Sequence, residues 1–457
     1  MSTEQRENTP ADPGPATATT TATAEPTEPT ARAAEPPAPA AEPAAPDATA
    51  DAPEKPLIKN RDFQALWSSE AFAAVAKETA EIAYPLLILA TTGSALYAGI
   101  VGSAQLITAS VMSIPGGTLA DRLDRRLLLI GCNLVRVVLL ALFGLLIFTD
   151  SASMPVIFGI ALASAVCFGI SQPAGLAAIK ALVPASQLTQ ATAQNQIRYF
   201  GATMAGPPIG GALFGVARAF PYLASAVGFL ISTVLLLFVR KPMQIENKDQ
   251  TKEKRGTAEG FRFLFKQPIL RPLIIWIMGS NMAFTHSGIF LALIATAQTR
   301  GASESFIGAT LAMAGVGGLV GSLVAGWVFK KVKPSVIVLC GAWVGPVVAV
   351  LLAVTPGVIP LGIIVTLVFI RGPIISTLFL SYLAAVAPDK VQGRVLGAVF
   401  FMSMSAAPLG VFVVGAVFDL AGSTWVFVTM CLISGVAALP TLSKRIRTLP
   451  RPEAVAV

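Results

Sequence analysis

Charge is scarce in this chain. Of 457 residues, 13% are Asp, Glu, Lys or Arg and 54% are hydrophobic, whereas a water-soluble domain carries about 25% charged residues. Histidine is scarcer still: His286 stands alone, and without an HExxH pattern the usual ligand set of a catalytic metal centre is missing. The four cysteines, Cys132, Cys167, Cys340 and Cys431, fall inside apolar runs with no CxxC spacing. They are read as small packing residues, not as disulfide partners or metal ligands. No GxxxxGK[ST] occurs, which excludes a P-loop ATPase. No nucleophile, base and orienting group converge at recognisable spacing, so no enzyme is expected and no cofactor is implied.

Long apolar runs are abundant instead. Stretches of about 20 residues suffice to cross a bilayer as a helix. They recur over residues 64–90, 97–120, 127–149, 154–179, 190–216, 219–239, 272–298, 304–329, 335–355, 358–384, 394–418 and 424–442. These twelve spans predict an all-α polytopic membrane protein; a β-barrel would show short alternating segments. Residues 1–56, rich in Ala, Pro, Thr and Glu with no apolar period, are expected to form a disordered cytoplasmic tail. Residues 57–239 and 272–443 form two six-helix bundles in this reading, and 444–457 a second cytoplasmic tail. The linker 240–271 begins RKPMQIENKDQTKEKR and ends in GFRFLFKQP, which predicts a short amphipathic helix on the membrane surface.

The net charge of +8 reports topology before it reports any nucleic-acid partner, because Lys and Arg collect on the cytoplasmic side. The flank Lys55–Arg61, the even-numbered links with Arg394 at the edge of span 11, and the C-terminal tail hold 25 Lys and Arg; the opposite side holds Arg218 and Arg300. Both termini are therefore expected in the cytoplasm. Weak internal symmetry accompanies the six-plus-six division, with GGTLADRLDRR after span 2 and GWVFKKVKP after span 8. A duplicated six-helix unit is the pattern of a secondary transporter with its site between the halves.

Ionisable groups at membrane depth are costly and mark function. Span 1 carries AKETAE, with Lys77, Glu78 and Glu81; Arg136 lies in span 3, Arg198 near the start of span 5, His286 in span 7 and Arg371 in mid-span 10. Glu78 and Glu81 share one helical face. Two adjacent carboxylates resist ionising together, so one of them can carry a coupling proton. Lys77 offers the competing arrangement, a fixed i,i+4 pair with Glu81. Arg136 either pairs with these acids or snorkels, and Arg198 is expected to snorkel. Arg371 has no acid in its own helix and calls for a distant acid, a cavity or a substrate. His286 is either a neutral hydrogen-bonded ring or a protonation switch.

PGGTLADRLDRR, 115–126, packs five charges into residues 121–126. It resembles the loop 2–3 motif of the major facilitator superfamily, G-x-x-x-D-R-x-G-R-R, as Gly117, Asp121, Arg122, Arg125 and Arg126, with Asp124 where the motif has glycine. TGSALYAG (92–99), PDKVQGRVLG (388–397) and APLG (407–410) resemble the branch that includes the enterobactin exporter and drug-efflux relatives. The resemblance covers about residues 60–445. It implies that Asp121 and the arginines form a charge-assisted latch between the two halves at the cytoplasmic face; a plain positive-inside anchor is the competing reading. AGPPIGG (205–211) is similar to the family's antiporter motif as Gly206, Pro207, Gly210 and Gly211. The motif implies exchange of substrate for protons, against the plainer reading of a kinked, closely packed helix.

These readings converge on a bacterial cytoplasmic-membrane protein of the major facilitator fold. The expected function is export of an amphipathic small molecule (siderophore, antibiotic or other toxic metabolite) by proton antiport with alternating access. Its expected partners are substrate, protons and the lipid bilayer, with no nucleic acid, and the expected state is a monomer. An importer or uniporter of the same fold is one rival, and a non-transporting membrane sensor or scaffold is the other.

Overall fold

A computed structural model describes residues 56–244, 257–386 and 389–451, and among these no strand occurs. The expected N-terminal tail up to residue 55, the middle of the linker and the last six residues lie outside the described residues. Six helices precede the linker: α1 (Arg61–Thr92), α2 (Ala95–Arg122), α3 (Arg125–Phe148), α4 (Met154–Leu182), α5 (Leu188–Val216) and α6 (Phe220–Leu237). They are called the first set. After the linker come α7 (Thr257–Lys266), α8 (Leu270–Phe284), α9 (His286–Thr299), α10 (Glu304–Lys331) and α11 (Pro334–Val354). The second set continues with α12 (Val358–Val386), α13 (Asp389–Ser405), α14 (Ala407–Ala421), α15 (Ser423–Ala438) and the short α16 (Lys444–Arg447).

Among the described residues, ten segments are long and apolar enough to cross a membrane, α8–α9 counting as one and α13–α14 as another. Helices α1 and α5, 32 and 29 residues long, complete the twelve. Both exceed the length of a membrane crossing. Their apolarity is lowered by Lys77, Glu78 and Glu81 in α1 and by Asn195 and Arg198 in α5.

Local signals set the helix ends. The Asn60 side chain accepts the Phe63 amide at 3.1 Å to start α1, and Gly93, at φ 68°, ends it in the left-handed region that glycine tolerates. Asp124 caps α3 by accepting the amides of Arg126 at 2.8 Å and Leu127 at 3.1 Å. That cap explains an acid where the family motif has glycine.

Two expected spans are not continuous. Span 7 breaks at Thr285, whose backbone turns extended at ψ 146°. Span 11 breaks at Ala406, ahead of Pro408, which has no amide to continue the ladder. Within the linker, α7 packs its apolar side on protein. Leu264 is fully buried among Leu270, Leu273 and Val395, and the Phe261 ring meets Phe401 edge-on at 6.0 Å.

The end that carries the α1–α2, α3–α4 and α5–α6 turns is called the turn end, and the opposite one the basic end. The largest apolar core runs from Ala76 of α1 to Met430 of α15 and is shared by both sets. Toward the basic end it divides. One core contains Leu57, Phe63, Leu129, Leu182 and Leu236, all of the first set or its flanks; the other contains Leu270, Val338, Tyr382 and Ile446, all from beyond the linker.

Candidate functional site

Helix α1 places a cluster of charge against the break in span 7. Lys77 Nζ donates to Glu78 Oε1 at 3.2 Å and also to the Glu81 carboxylate. Glu78 Oε2 lies 3.0 Å from Nε2 of His286, and Ser287 Oγ donates to Glu81 Oε1 at 2.9 Å. His286 and Ser287 are the first residues of α9, so the break presents a helix N-terminus to two carboxylates, where negative charge is favoured. The His286 ring also packs against Phe290 at 4.0 Å, and its Nδ1 is buried with no partner among the described residues. Four elements of the sequence reading, Lys77, Glu78, Glu81 and His286, therefore converge. Ser287 was missed, since a single serine beside a histidine carries no periodic signal.

The glycines of AGPPIGG seat α5 between two neighbours. A methyl group on Gly206 would overlap Glu78 Cβ, and one on Gly210 would come within 2.8 Å of Thr79 O, so these two face α1. Gly211 faces Glu304 and Gly308 of α10, and Gly308 in turn lies against Pro207 and Pro208. Small residues allow this close approach, and the prolines leave gaps in the amide ladder of α5. The motif thus sits directly behind the Glu78 cluster and joins the two sets.

The remaining membrane charges divide among different partners. Arg198 has an acid partner that the sequence did not point to: its Nη1 pairs with Glu70 Oε2 at 2.8 Å. Glu70 lies seven residues before Lys77, two turns along the same face. Arg136 is not paired with the α1 acids. Its Nη2 donates to Ser171 Oγ at 3.3 Å, and its guanidinium lies 5.0 Å from the Phe229 ring centre and 5.8 Å from that of Phe168. Arg371 donates to Gly341 O at 3.1 Å and Ser280 Oγ at 2.6 Å and meets no acid among the described residues.

At the basic end, the loop 2–3 residues bond within their own set. Arg125, buried, donates to the carbonyls of Ala120, Ala177 and Met243 and lies 3.7 Å from Asp121. Arg126 donates to the last carbonyls of α6, at Leu236 and Leu237. Arg122 is exposed. Among the described residues no latch to the second set is formed. Motif glycine Gly117 faces open space, and its neighbour Gly116 is the one pressed on α4, where a methyl would come within 2.8 Å of Gly169 O.

At the turn end the sets are tied together. Asp419 of α14 accepts from the hydroxyl of Ser94 and from the amides of Ala95 at 2.7 Å and Leu96 at 3.1 Å, capping α2 from across the molecule. Ser103 Oγ donates to Pro408 O at 2.8 Å, and a methyl on Gly99 would sit 3.0 Å from Val411 O. Asp419 was not anticipated, because its partners lie more than 320 residues away in the chain.

Two cavities open beneath this closure. The deeper, about 150 Å³, is lined by both sets, among them Glu81, Tyr84, Phe168, Phe229, Ser287 and Phe290. The second, about 120 Å³ and nearer the basic end, is lined by α1, α3, α4 and α5, including Glu70, Glu78, Asn133 and Arg198.

Twelve membrane-length segments, a charge cluster at a broken span and a cavity shared by two sets define a polytopic α-helical membrane protein of the transporter class. A sequence profile of the Major Facilitator Superfamily matches residues 66–411, and the chain belongs to that family. Multidrug efflux pump Tap of Mycolicibacterium fortuitum is 24% identical over 382 residues, covering 78% of this chain and 90% of the pump. Tap of Mycobacterium tuberculosis H37Rv is 27% identical, covering 79% and 88%. Among solved structures, a variant of the nucleoside transporter NupG superposes with TM-score 0.69 at 12% identity over 83% of this chain and 99% of NupG. A bacterial homologue of the lysosomal transporter Spinster, inward-facing and occupied, gives 0.65 at 13% identity over 85% and 97%. The fold is the major facilitator fold.

Proposed function

We propose that the chain is a secondary transporter that exports amphipathic small molecules by proton antiport. The observation that carries this reading is the Glu78–His286 contact. It joins α1 to the N-terminus of α9 across the two sets, next to Lys77, Glu81 and Ser287, which line the shared cavity. A proton on Glu78, Glu81 or His286 changes which of Lys77, His286 and Ser287 those carboxylates hold, and so changes how α1 meets α9. Two six-helix bundles rocking about this joint would alternate access to the cavity. The separated cores at the basic end and the tied turn end correspond to a cytoplasm-facing state, with both termini in the cytoplasm. The names of the Tap relatives support export of drugs. Proton exchange rests on the cluster itself and on the antiporter-like motif.

A uniporter is the second reading. It is favoured by one specific observation: Lys77 already pairs with both carboxylates, as a fixed structural cluster would require. Inverted membrane vesicles energised by respiration separate the two. A panel of siderophores and amphipathic drugs is added while a dye follows the pH gradient. Antiport predicts that at least one compound dissipates the gradient in wild type and fails to do so with Glu81→Gln or Glu78→Gln. If labelled compounds equilibrate equally in all three proteins with no effect on the gradient, coupling through α1 is wrong.

A further inference from the structure

The two cavities share three lining residues: Lys77, Arg136 and Phe168. Their other walls place them one beyond the other along the molecule. The basic-end cavity takes its wall from residues such as Glu70, Leu129, Ile179 and Arg198, the deep one from Tyr84, Ala98, Leu106 and Phe290. The shared residues therefore form a neck. Two of them are held in place. Lys77 is bonded to both Glu78 and Glu81. The Arg136 guanidinium is bonded to Ser171 and covered by the Phe229 ring. Ser171 in turn donates to the carbonyl of Phe168 at 3.2 Å, which fixes the backbone beneath the ring. The Phe168 side chain, part-exposed, has no hydrogen bond to break and turns about two torsions. Lys77 Nζ lies 5.2 Å and Arg136 Cζ 5.8 Å from its ring centre, within the range where a cation attracts an aromatic face.

Resting on the transporter reading above, we propose that Phe168 is the specificity-determining gate between the two cavities: its ring, steadied by Lys77 and Arg136, sets the width of molecule that reaches the deep site. Flat, slim amphipathic molecules pass beside the ring. Bulky globular ones require it to leave both cations.

The gate is tested in the full chain in lipid nanodiscs, with Cys132, Cys167, Cys340 and Cys431 replaced by Ala. A single cysteine is placed at Gln105, in the deep cavity, or at Gln172, in the basic-end cavity. Labelling rates are compared for methanethiosulfonate-ethylammonium and a bulky methanethiosulfonate-rhodamine. With Phe168 present, the bulky reagent is expected to lag the small one at the Gln105→Cys position by about tenfold or more, as a steric filter does. Phe168→Ala should remove most of that lag and Phe168→Trp should widen it. The Gln172→Cys position should label alike in all three proteins, which also reports that each is folded. An unchanged lag at the Gln105→Cys position across the three overturns the gate. Labelling does not depend on coupling or direction. A protein that labels as expected but moves no compound in vesicles sustains the gate and overturns export; one that exports but labels identically in all three does the reverse.

Discussion

The two ends of α2 meet similar chemistry and put it to opposite uses. At the turn end, a carboxylate of the second set, Asp419, takes up the free amides of Ala95 and Leu96 and ties the sets together. At the basic end, Arg125 and Arg126 have guanidinium groups suited to bridging, yet their partners among the described residues all lie between Ala120 and Met243. Apolar packing follows the same division, with one shared core toward the turn end and two separate ones at the basic end. The lesson is that a helix end capped from another body is a clasp, whereas one capped from its own body is scaffolding.

That contrast can be broken most severely where the clasp is also tightest. Gly415 lies against Ala95 and Gly99, where a methyl would come within 3.1 Å of Gly99 Cα. Gly415→Val should overpack the α2–α14 contact by about 1–3 kcal/mol. Spin-label distances across the turn end should lengthen, and the melting temperature should fall. Asp419→Ala comes next. Loss of a helix cap costs about 1 kcal/mol, so the fraction open at the turn end should rise about fivefold, with melting changed less than for Gly415→Val. Arg126→Ala sharpens the comparison from the other side. It frees two carbonyls at the end of α6 and should lower stability by about 0.5–1.5 kcal/mol, yet leave turn-end distances unchanged. The smallest effect belongs to Arg122→Gln. Arg122 is exposed with no bond among the described residues, and its substitution should stay within about 0.5 kcal/mol in a thermal melt.

The parts legible in the sequence are those with a local period. Apolar runs gave the spans, the i,i+4 spacing gave the Lys77–Glu81 pair, and AGPPIGG marked a helix that others approach closely. What the sequence did not disclose depends on register between helices. Glu70 finds Arg198 and Ser94 finds Asp419 only because α1 meets α5 and α2 meets α14 at particular heights. Apolar surfaces facing lipid and facing protein read alike, so hydropathy cannot set those heights. The break at Thr285 had no proline to announce it. Gly117 drew attention by its motif position, while its neighbour Gly116 does the packing.

Alternating access through the α1–α9 joint is the central claim, and paired distances at both ends test it most directly. Spin labels at Leu123 and Lys331 would read the basic end, and labels at Arg218 and Val354 the turn end, in nanodiscs, with and without a transported compound. The account predicts that the two distances move in opposite senses, turn end lengthening as basic end shortens, and that Glu78→Gln shifts both together along that same line. Distances that stay fixed at both ends, or that lengthen at both at once, would contradict it.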